Sequence, residues 1–428
     1  MIHLVAMLDD RPIGRLWADG DGHPQFAYDD AYRAEPDATP LSLALPLAND
    51  RHASDIVEAV LWGVLPDSEH VLRRWAERFH VSARNPLALL AHVGEDCAGA
   101  VQFVSAERID AWLGGDADGV RWLTEREIAE RLSHLRRDGG TGREPDDTGQ
   151  FSLAGAQPKT ALYFSPQTQR WGVPSGRVPT SHILKPPAGN YDGYAENEHF
   201  CLELARSIGL PSAGSQVLRF GDETAICVER YDRAFVGDTL RRVHQEDFCQ
   251  ALGVFPHRKY QNEGGPSAGD LAGVLRQHSA DAATDVPLVF RALAFNWLIA
   301  GPDAHAKNYS LLLGGGGQMR LAPLYDVSSA HPYPALNLRK LKLAMKTGGH
   351  YRWWEVTPRD WRKTALEFGL DEAEGRTTLD DFAERLPDHA SRLARTLRAS
   401  GLDHDVLGRL VDGVAFAASR WRRFPAGA

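Results

Sequence analysis

Asp303-Ala304-His305-Ala306-Lys307-Asn308 sets a carboxylate five residues before an amide, directly after an apolar stretch that ends at Ala300. On a loop leaving a buried helix, that spacing suits phosphoryl transfer: the Asp accepts the proton of the attacking hydroxyl and the Asn holds a magnesium ion. Leu324-Tyr325-Asp326 follows, and a carboxylate there could complete the magnesium site. Upstream, Ser152-Leu153-Ala154-Gly155-Ala156-Gln157-Pro158-Lys159-Thr160 sets small residues beside a glycine, which lets backbone N–H groups approach an anion closely. It lacks the G-x-x-x-x-G-K-[ST] spacing of a Walker loop. Lys185 ends the apolar strand His182-Ile183-Leu184, a position from which a lysine reaches the α and β phosphates of a nucleotide. Glu198, on the next helix, is the nearest candidate for its ion-pair partner.

Each element also has a plainer reading. The small-residue loop alone is a hairpin turn before a strand, Lys185 alone a solvated strand end, Glu198 alone an exposed helix carboxylate. Asp303, His305 and Asp326 could instead form a carboxylate–imidazole metal-hydrolase site, because D-x-H is also a metal-ligand pattern. That alternative leaves Lys307, Asn308 and the upstream lysine unexplained. A paired-carboxylate glycosidase leaves the small-residue loop idle. The order of the five elements is the order a kinase requires.

The surrounding chain must position them. Its 428 residues suggest two or three domains with ample core. A formal charge of −9, from 48 basic and 57 acidic residues, argues against a surface given over to nucleic acid. Cys97, Cys201, Cys227 and Cys249 are widely spaced without C-x-x-C, which disfavours a disulfide framework and suits a reducing cytoplasm. The first residues read as a strand, not a signal peptide, and the longest apolar stretch, Pro287 to Gly301, is too short and too interrupted for a membrane span.

Periodicity predicts short strands at His3 to Leu8, Ile13 to Trp17, Leu41 to Leu45 and Ala98 to Val104. A helix follows Ser68 through Val71, Leu72, Trp75 and Phe79, and another opens with the capping box Thr124-x-x-Glu127. Arg136 to Asp147 is the best linker candidate. Beyond it, strands are expected at Thr160 to Phe164, Ser181 to Lys185, Gln216 to Phe220 and Ala225 to Glu229, with a helix from Ala195 to Ile208. Helices are expected around 246–252, 268–277, 286–300, 376–386, 388–399 and 404–421, with a hairpin near 309–323. A β-rich half before a mostly helical half reads as α+β.

Together S-L-A-G-A-Q-P-K-T-A-L, S-H-I-L-K, E-N-E-H-F-C, V-E-R-Y-D-R, Q-E-D-F-C-Q-A-L-G, D-A-H-A-K-N-Y-S, P-L-Y-D and K-L-A-M resemble the HipA serine/threonine kinases, the toxin halves of bacterial HipBA modules. P-L-S-L-A-L-P-L, L-P-D-S and G-E-D-C-A-G-A-V are similar to the family's N-terminal part. The resemblance implies a two-lobed α+β fold related to the phosphoinositide-kinase-like group. It divides the chain into an N-terminal subdomain (1–105), a helix and linker (106–148) and a kinase region (149–428), the last with its N-lobe portion at 149–232 and a helical lobe at 233–428.

The resemblance also implies ATP and Mg²⁺ as cofactors, bound between the lobes. Asp303 would be the catalytic base, while Asn308 and Asp326 would hold the metal. Ala154, Gly155, Ala156, Gln157, Pro158 and Lys159 would form the phosphate loop, with Lys185, His305, Lys307 and Tyr325 completing the nucleotide site. The backbone around Glu229 and Tyr231 would be the adenine hinge, and Ser152 the autophosphorylation site. Implied partners are a HipB-like helix-turn-helix antitoxin and a protein substrate, an aminoacyl-tRNA synthetase, with DNA reached through the antitoxin complex; the alternatives are a chain that serves chiefly as an antitoxin-binding corepressor module, or a small-molecule kinase on the same scaffold. Two features depart from relatives. Pro302 stands where many have Thr, and the Arg359, Arg362, Lys363 segment matches the family's DNA-contacting region only loosely.

Overall fold

The computed structural model describes residues 2–138, 151–187 and 191–425; from residue 139 the expected linker lies outside them. His3–Leu8 (β1) and Arg11–Ala18 (β2) are joined through Asp9 and Asp10, both at positive φ. Two successive left-handed residues are what a tight hairpin needs, and Asp tolerates that conformation better than most. Pro24–Tyr28 (β3) and Val101–Ser105 (β4) complete an antiparallel sheet of order β3-β2-β1-β4. Asp30–Arg33 (α1) is a single turn directly after β3. The sheet's Leu4, Leu16 and Phe26 share one core with Val57 and Leu61 of Ser54–Gly63 (α2), Trp75 of Glu69–Phe79 (α3) and Leu90 of Pro86–Val93 (α4). Each such side chain contributes about 1.5–3 kcal/mol on burial.

After Ile109–Gly114 (α5), a six-stranded sheet is built from Gly119–Trp122 (β5), Thr160–Ser165 (β6), Arg170–Ser175 (β7), His182–Lys185 (β8), Ser215–Phe220 (β9) and Glu223–Glu229 (β10). Its order is β5-β7-β6-β8-β10-β9. Glu125–Asp138 (α6) lays Ile128, Leu132 and Leu135 against Leu162, Leu184 and Cys227 of the sheet. The predicted capping box is present: Thr124 N–H and Oγ1 both donate to the Glu127 carboxylate at 2.8 Å.

The remaining elements are Tyr194–Ser207 (α7), the ribbon Arg233–Val236 (β11) and Thr239–Arg242 (β12), Gln245–Asp247 (β13) and the short Phe248–Ala251 (α8). Ala268–His278 (α9) and Ala282–Leu298 (α10) follow, then the hairpin Ser310–Leu313 (β14) and Met319–Leu321 (β15), paired with β13. A second hairpin, Lys342–Thr347 (β16) and His350–Arg352 (β17), precedes Pro358–Glu367 (α11), Glu372–Ala399 (α12) and Val406–Arg422 (α13). The architecture is α+β. The chain forms two compact units: Met1–Ala188, Leu218–His257 and Leu311–Met319 make one, and Gly189–Val217, Arg258–Ser310 and Arg320–Ala428 the other.

Two expectations are corrected. Leu41 to Leu45 is not a strand but a tight turn closed by the Ser42↔Leu45 bridge. Its alternation reflects a loop pinned from both sides: the Leu41 carbonyl faces His244 Nε2 at 3.0 Å, and Leu43 N–H donates to Glu246 at 2.8 Å. The two helices expected on either side of Pro387 are one, α12. An interior proline costs about 3 kcal/mol. Buried Leu379, Phe382, Leu386, Ala390, Ala394 and Leu397 keep a single apolar stripe running through it, and packing outweighs the lost bond.

The first unit contains a buried ion network that its sequence does not advertise. Asp96 Oδ1 lies 2.8 Å from Arg233 and 3.1 Å from Arg242, while its Oδ2 lies 3.5 Å from Arg230 and accepts from Thr180 Oγ1 at 2.6 Å. Asp232 pairs with Arg230 at 2.8 Å and Arg233 at 3.1 Å. The Cys97 and Gly99 carbonyls take further guanidinium donors. Burial alone would favour the protonated Asp96, but Arg233, Arg242 and Arg230 outweigh it and hold the carboxyl well below the usual range.

With its folded pKa depressed, Asp96 contributes stability that is present above the unfolded value of 3.8 and is lost as pH falls below it. Asp96→Asn leaves Arg230 and Arg233 to share Asp232 and deprives Arg242 of its buried carboxylate, and should cost about 3–5 kcal/mol in urea unfolding near neutral pH. A change under about 1 kcal/mol would show that the network relaxes around the loss.

Candidate active site

The first unit carries the small-residue loop as a docked strap. Ser152 N–H donates to the Asp96 carbonyl at 2.9 Å and Ser152 Oγ to the Val64 carbonyl at 2.8 Å, and the residue is 0% exposed. Gly155 bridges Pro66, and its carbonyl accepts Asp67 N–H at 3.1 Å. Gly155 sits at φ +102°, which glycine adopts without penalty, and a Cβ there would meet Lys159 Nζ at 2.6 Å. Lys159 Nζ donates to the Ala154 carbonyl at 2.7 Å, closing the loop over Ala156, Gln157 and Pro158.

Lys185, at the end of β8 opposite Ile226, is 4% exposed. A solvated strand end is therefore ruled out. Glu229 is exposed, opposite His182, and Tyr231 OH donates to Gln245 Oε1 at 2.5 Å.

In the second unit, Glu198 is 1% exposed on α7, so the reading of an exposed helix carboxylate fails as well. Helix α10 ends where Ala300 turns left-handed at φ 51° and Gly301 N–H returns to the Asn296 carbonyl at 2.7 Å, a closure usually given to glycine. A Cβ on Gly301 would meet Asn296 Oδ1 at 2.6 Å, so a larger residue there would have to displace the Asn296 side chain. The loop then closes on itself. Asn308 Nδ2 donates to the Asp303 carbonyl at 2.8 Å, His305 N–H to the same carbonyl at 2.9 Å, and Asn308 N–H to the His305 carbonyl at 2.9 Å. The first of these bonds commits Nδ2 to the loop's own backbone and leaves Oδ1 as the oxygen of Asn308 that could hold a cation.

The Asp303 carboxylate is 51% exposed and accepts Tyr260 OH at 2.6 Å. His305 is buried, which pushes its imidazole down to about 4 and keeps it neutral at physiological pH. Lys307 is buried too, and its carbonyl accepts Tyr325 OH at 2.6 Å, joining the loop to the Leu324-Tyr325-Asp326 segment. Asp326 itself is left-handed, at φ 52°.

Among the described residues, no three His, Cys, Asp or Glu side chains gather in a group able to hold a metal. Asp303, His305 and Asp326 thus do not form the ligand set of the hydrolase alternative. An Asn–Asp pair of hard oxygens suits Mg²⁺, which takes one or two protein ligands and completes its shell with water and phosphate.

Sequence reasoning missed several positioning residues. Asn197, fully buried on α7, exchanges two hydrogen bonds with the Ser329 backbone, at 2.8 and 3.0 Å, and Ser329 Oγ donates to the Ile299 carbonyl at 2.5 Å. The end of α10, the segment after Asp326 and α7 are thereby one hydrogen-bonded frame. The visible signal was the motif E-N-E-H-F-C, whose Asn passes as an ordinary helix polar residue. Tyr260 gave no signal, and Asp96 stood within G-E-D-C-A-G-A-V with nothing to mark its distant arginine partners.

Comparison with known proteins supplies the class. The HipA-like C-terminal domain family matches residues 151–390 and the HipA N-terminal domain family residues 4–104. The Sinorhizobium fredii protein Y4mE is 34% identical over 414 residues, 95% of each chain. The serine/threonine-protein kinase toxin HipA of Shewanella oneidensis is 28% identical over 315 residues, 69% of this chain and 67% of that one. A chain in the solved complex of Shewanella oneidensis MR-1 HipA, HipB and operator DNA superposes with a TM-score of 0.83 at 24% identity, covering 98% of both, which establishes a shared fold. The fold is that of a HipA-type kinase, and the chain belongs to the HipA family of serine/threonine kinase toxins. Among its described residues, no helix is long and apolar enough to cross a membrane.

Asn197→Ala strands the buried N–H and carbonyl of Ser329. The expected cost is about 2–5 kcal/mol, read as a lower denaturation midpoint. A wild-type midpoint would mean that the frame holds without it.

Proposed function

We propose that the chain is an ATP-dependent protein kinase toxin that moves the γ-phosphoryl of ATP onto a serine or threonine of an aminoacyl-tRNA synthetase, glutamyl-tRNA synthetase foremost, and so arrests growth. The observation that carries the reading is the self-closed 303–308 loop, with a half-exposed Asp303 carboxylate and an Asn308 oriented from the Asp303 carbonyl. Asp303 accepts the proton of the acceptor hydroxyl, and Asn308 and Asp326 supply oxygens to Mg²⁺. Lys185, the 154–159 loop, His305, Lys307 and Tyr325 hold the nucleotide, with the backbone at Glu229 and Tyr231 against adenine. When bound, Mg²⁺ neutralises charge on the transferring phosphoryl group, so positioning and electrostatics supply most of the rate.

Ser152 is the site of self-inactivation in this reading. Its hydroxyl is buried against the Val64 carbonyl, with no room for a phosphate carrying nearly two negative charges. Phosphorylation requires the strap to undock, and the modified strap cannot return. A HipB-like helix-turn-helix antitoxin is the neutralising partner, through which DNA is reached; the Shewanella complex with HipB and operator DNA supports this. Four buried free cysteines suit a cytoplasmic location.

Wild type and Asp303→Ala, each incubated with Mg-ATP and lysate from a kinase-deleted host, test the proposal by phosphosite mapping. Phosphate on Ser152 and on one or a few lysate proteins is expected from wild type, with the rate down by about 10²–10⁴ in the variant. Identical maps from the two proteins would remove the kinase reading.

A further inference from the structure

We propose that Tyr260 is a positioning residue for Asp303, holding one carboxylate oxygen so that the other meets the acceptor hydroxyl. The inference rests on the reading of Asp303 as the general base. Tyr260 lies 43 residues before Asp303 in sequence, yet its hydroxyl donates to Asp303 Oδ1 at 2.6 Å, the length of a charge-assisted O–H···O⁻ bond. His305 Nε2 approaches the same oxygen at 3.6 Å. Both contacts address Oδ1, which assigns the base role to Oδ2.

A half-exposed aspartate needs such a restraint. Its terminal torsion is broad, and a misplacement of about 1 Å at a reacting atom can cost about 10²-fold in rate. The 303–308 hydrogen bonds fix the backbone of Asp303, and none of them restrains its carboxylate.

Tyr260 is itself built in. Its carbonyl accepts Glu263 N–H at 2.9 Å and Gly265 N–H at 3.0 Å. The next residue, Gln261, accepts Lys346 N–H of β16 at 2.7 Å. The Tyr260 ring packs edge-on against His305 at 5.1 Å, and Lys259 Nζ lies 5.6 Å from its centroid. A Cβ on Gly265 would fall 1.9 Å from the Arg258 carbonyl, so the turn presenting Tyr260 admits only glycine there. A tyrosine merely covering surface would need none of these ties.

The test compares full-length wild type, Tyr260→Phe, Asp303→Asn and the double variant in Mg-[γ-³²P]ATP, reading initial phosphoryl transfer to the protein itself and to water. Tyr260→Phe keeps the ring on His305, so its thermal midpoint should match wild type. Its maximal rate should fall about 10-fold while the ATP concentration for half-maximal rate stays within about two-fold. In the Asp303→Asn background, removing the hydroxyl should change nothing further, because its effect runs through the carboxylate. An equal loss in both backgrounds would mean a structural role and overturn the proposal. An unchanged rate would overturn it as well, and a faster rate would show the hydroxyl occupying the acceptor's place. Full activity in Asp303→Asn would instead overturn the general-base reading on which the proposal rests.

Discussion

The first unit depends on one buried carboxylate. Asp96 faces three guanidinium groups, and its backbone carbonyl holds the N–H of Ser152. A buried ion pair gains little over a well-packed apolar pair, but breaking one side of it is expensive. The network therefore acts as a specificity device: Asp232 pairs with Arg230 and Arg233 locally, but the two guanidinium groups complete their hydrogen bonding only with the 96–99 turn in place. The N-terminal sheet and the small-residue strap are locked to the six-stranded sheet by the same few atoms.

The second unit solves a different problem, a loop that must stay partly exposed yet hold its shape. It does so with hydrogen bonds that end on the backbone. Ala330 N–H donates to the Ala300 carbonyl at 3.1 Å, Asn197 clamps Ser329, and Tyr325 closes on Lys307. Left-handed Ala300 and Asp326 bracket the arrangement, at a conformational cost of about 1–2 kcal/mol each that the surrounding bonds must offset.

Much of this was legible. Strand alternation and capping chemistry gave β1, β2, β6, β8, α3 and α6 because those signals are local. The D-x-x-x-x-N spacing was visible because the loop folds on itself within six residues. Pairings across the chain left no such mark: Asp96 meets Arg233 across 137 positions and Arg242 across 146. Burial of Lys185 and Glu198 was equally invisible, since a lysine or glutamate looks the same on either side of a surface. Proline misled the reading of α12 because helix-breaking is local whereas the packing that overrules it is not.

Ser152 carries a kinetic consequence. Any reagent that attacks its hydroxyl must wait for the strap to open, so the observed rate is the rate on the open loop multiplied by the open fraction. If opening costs about 4 kcal/mol, roughly one molecule in a thousand is reactive at any instant. Burial of the hydroxyl then works as a clock, and the bonds to Val64 and Asp96 set how slowly it runs.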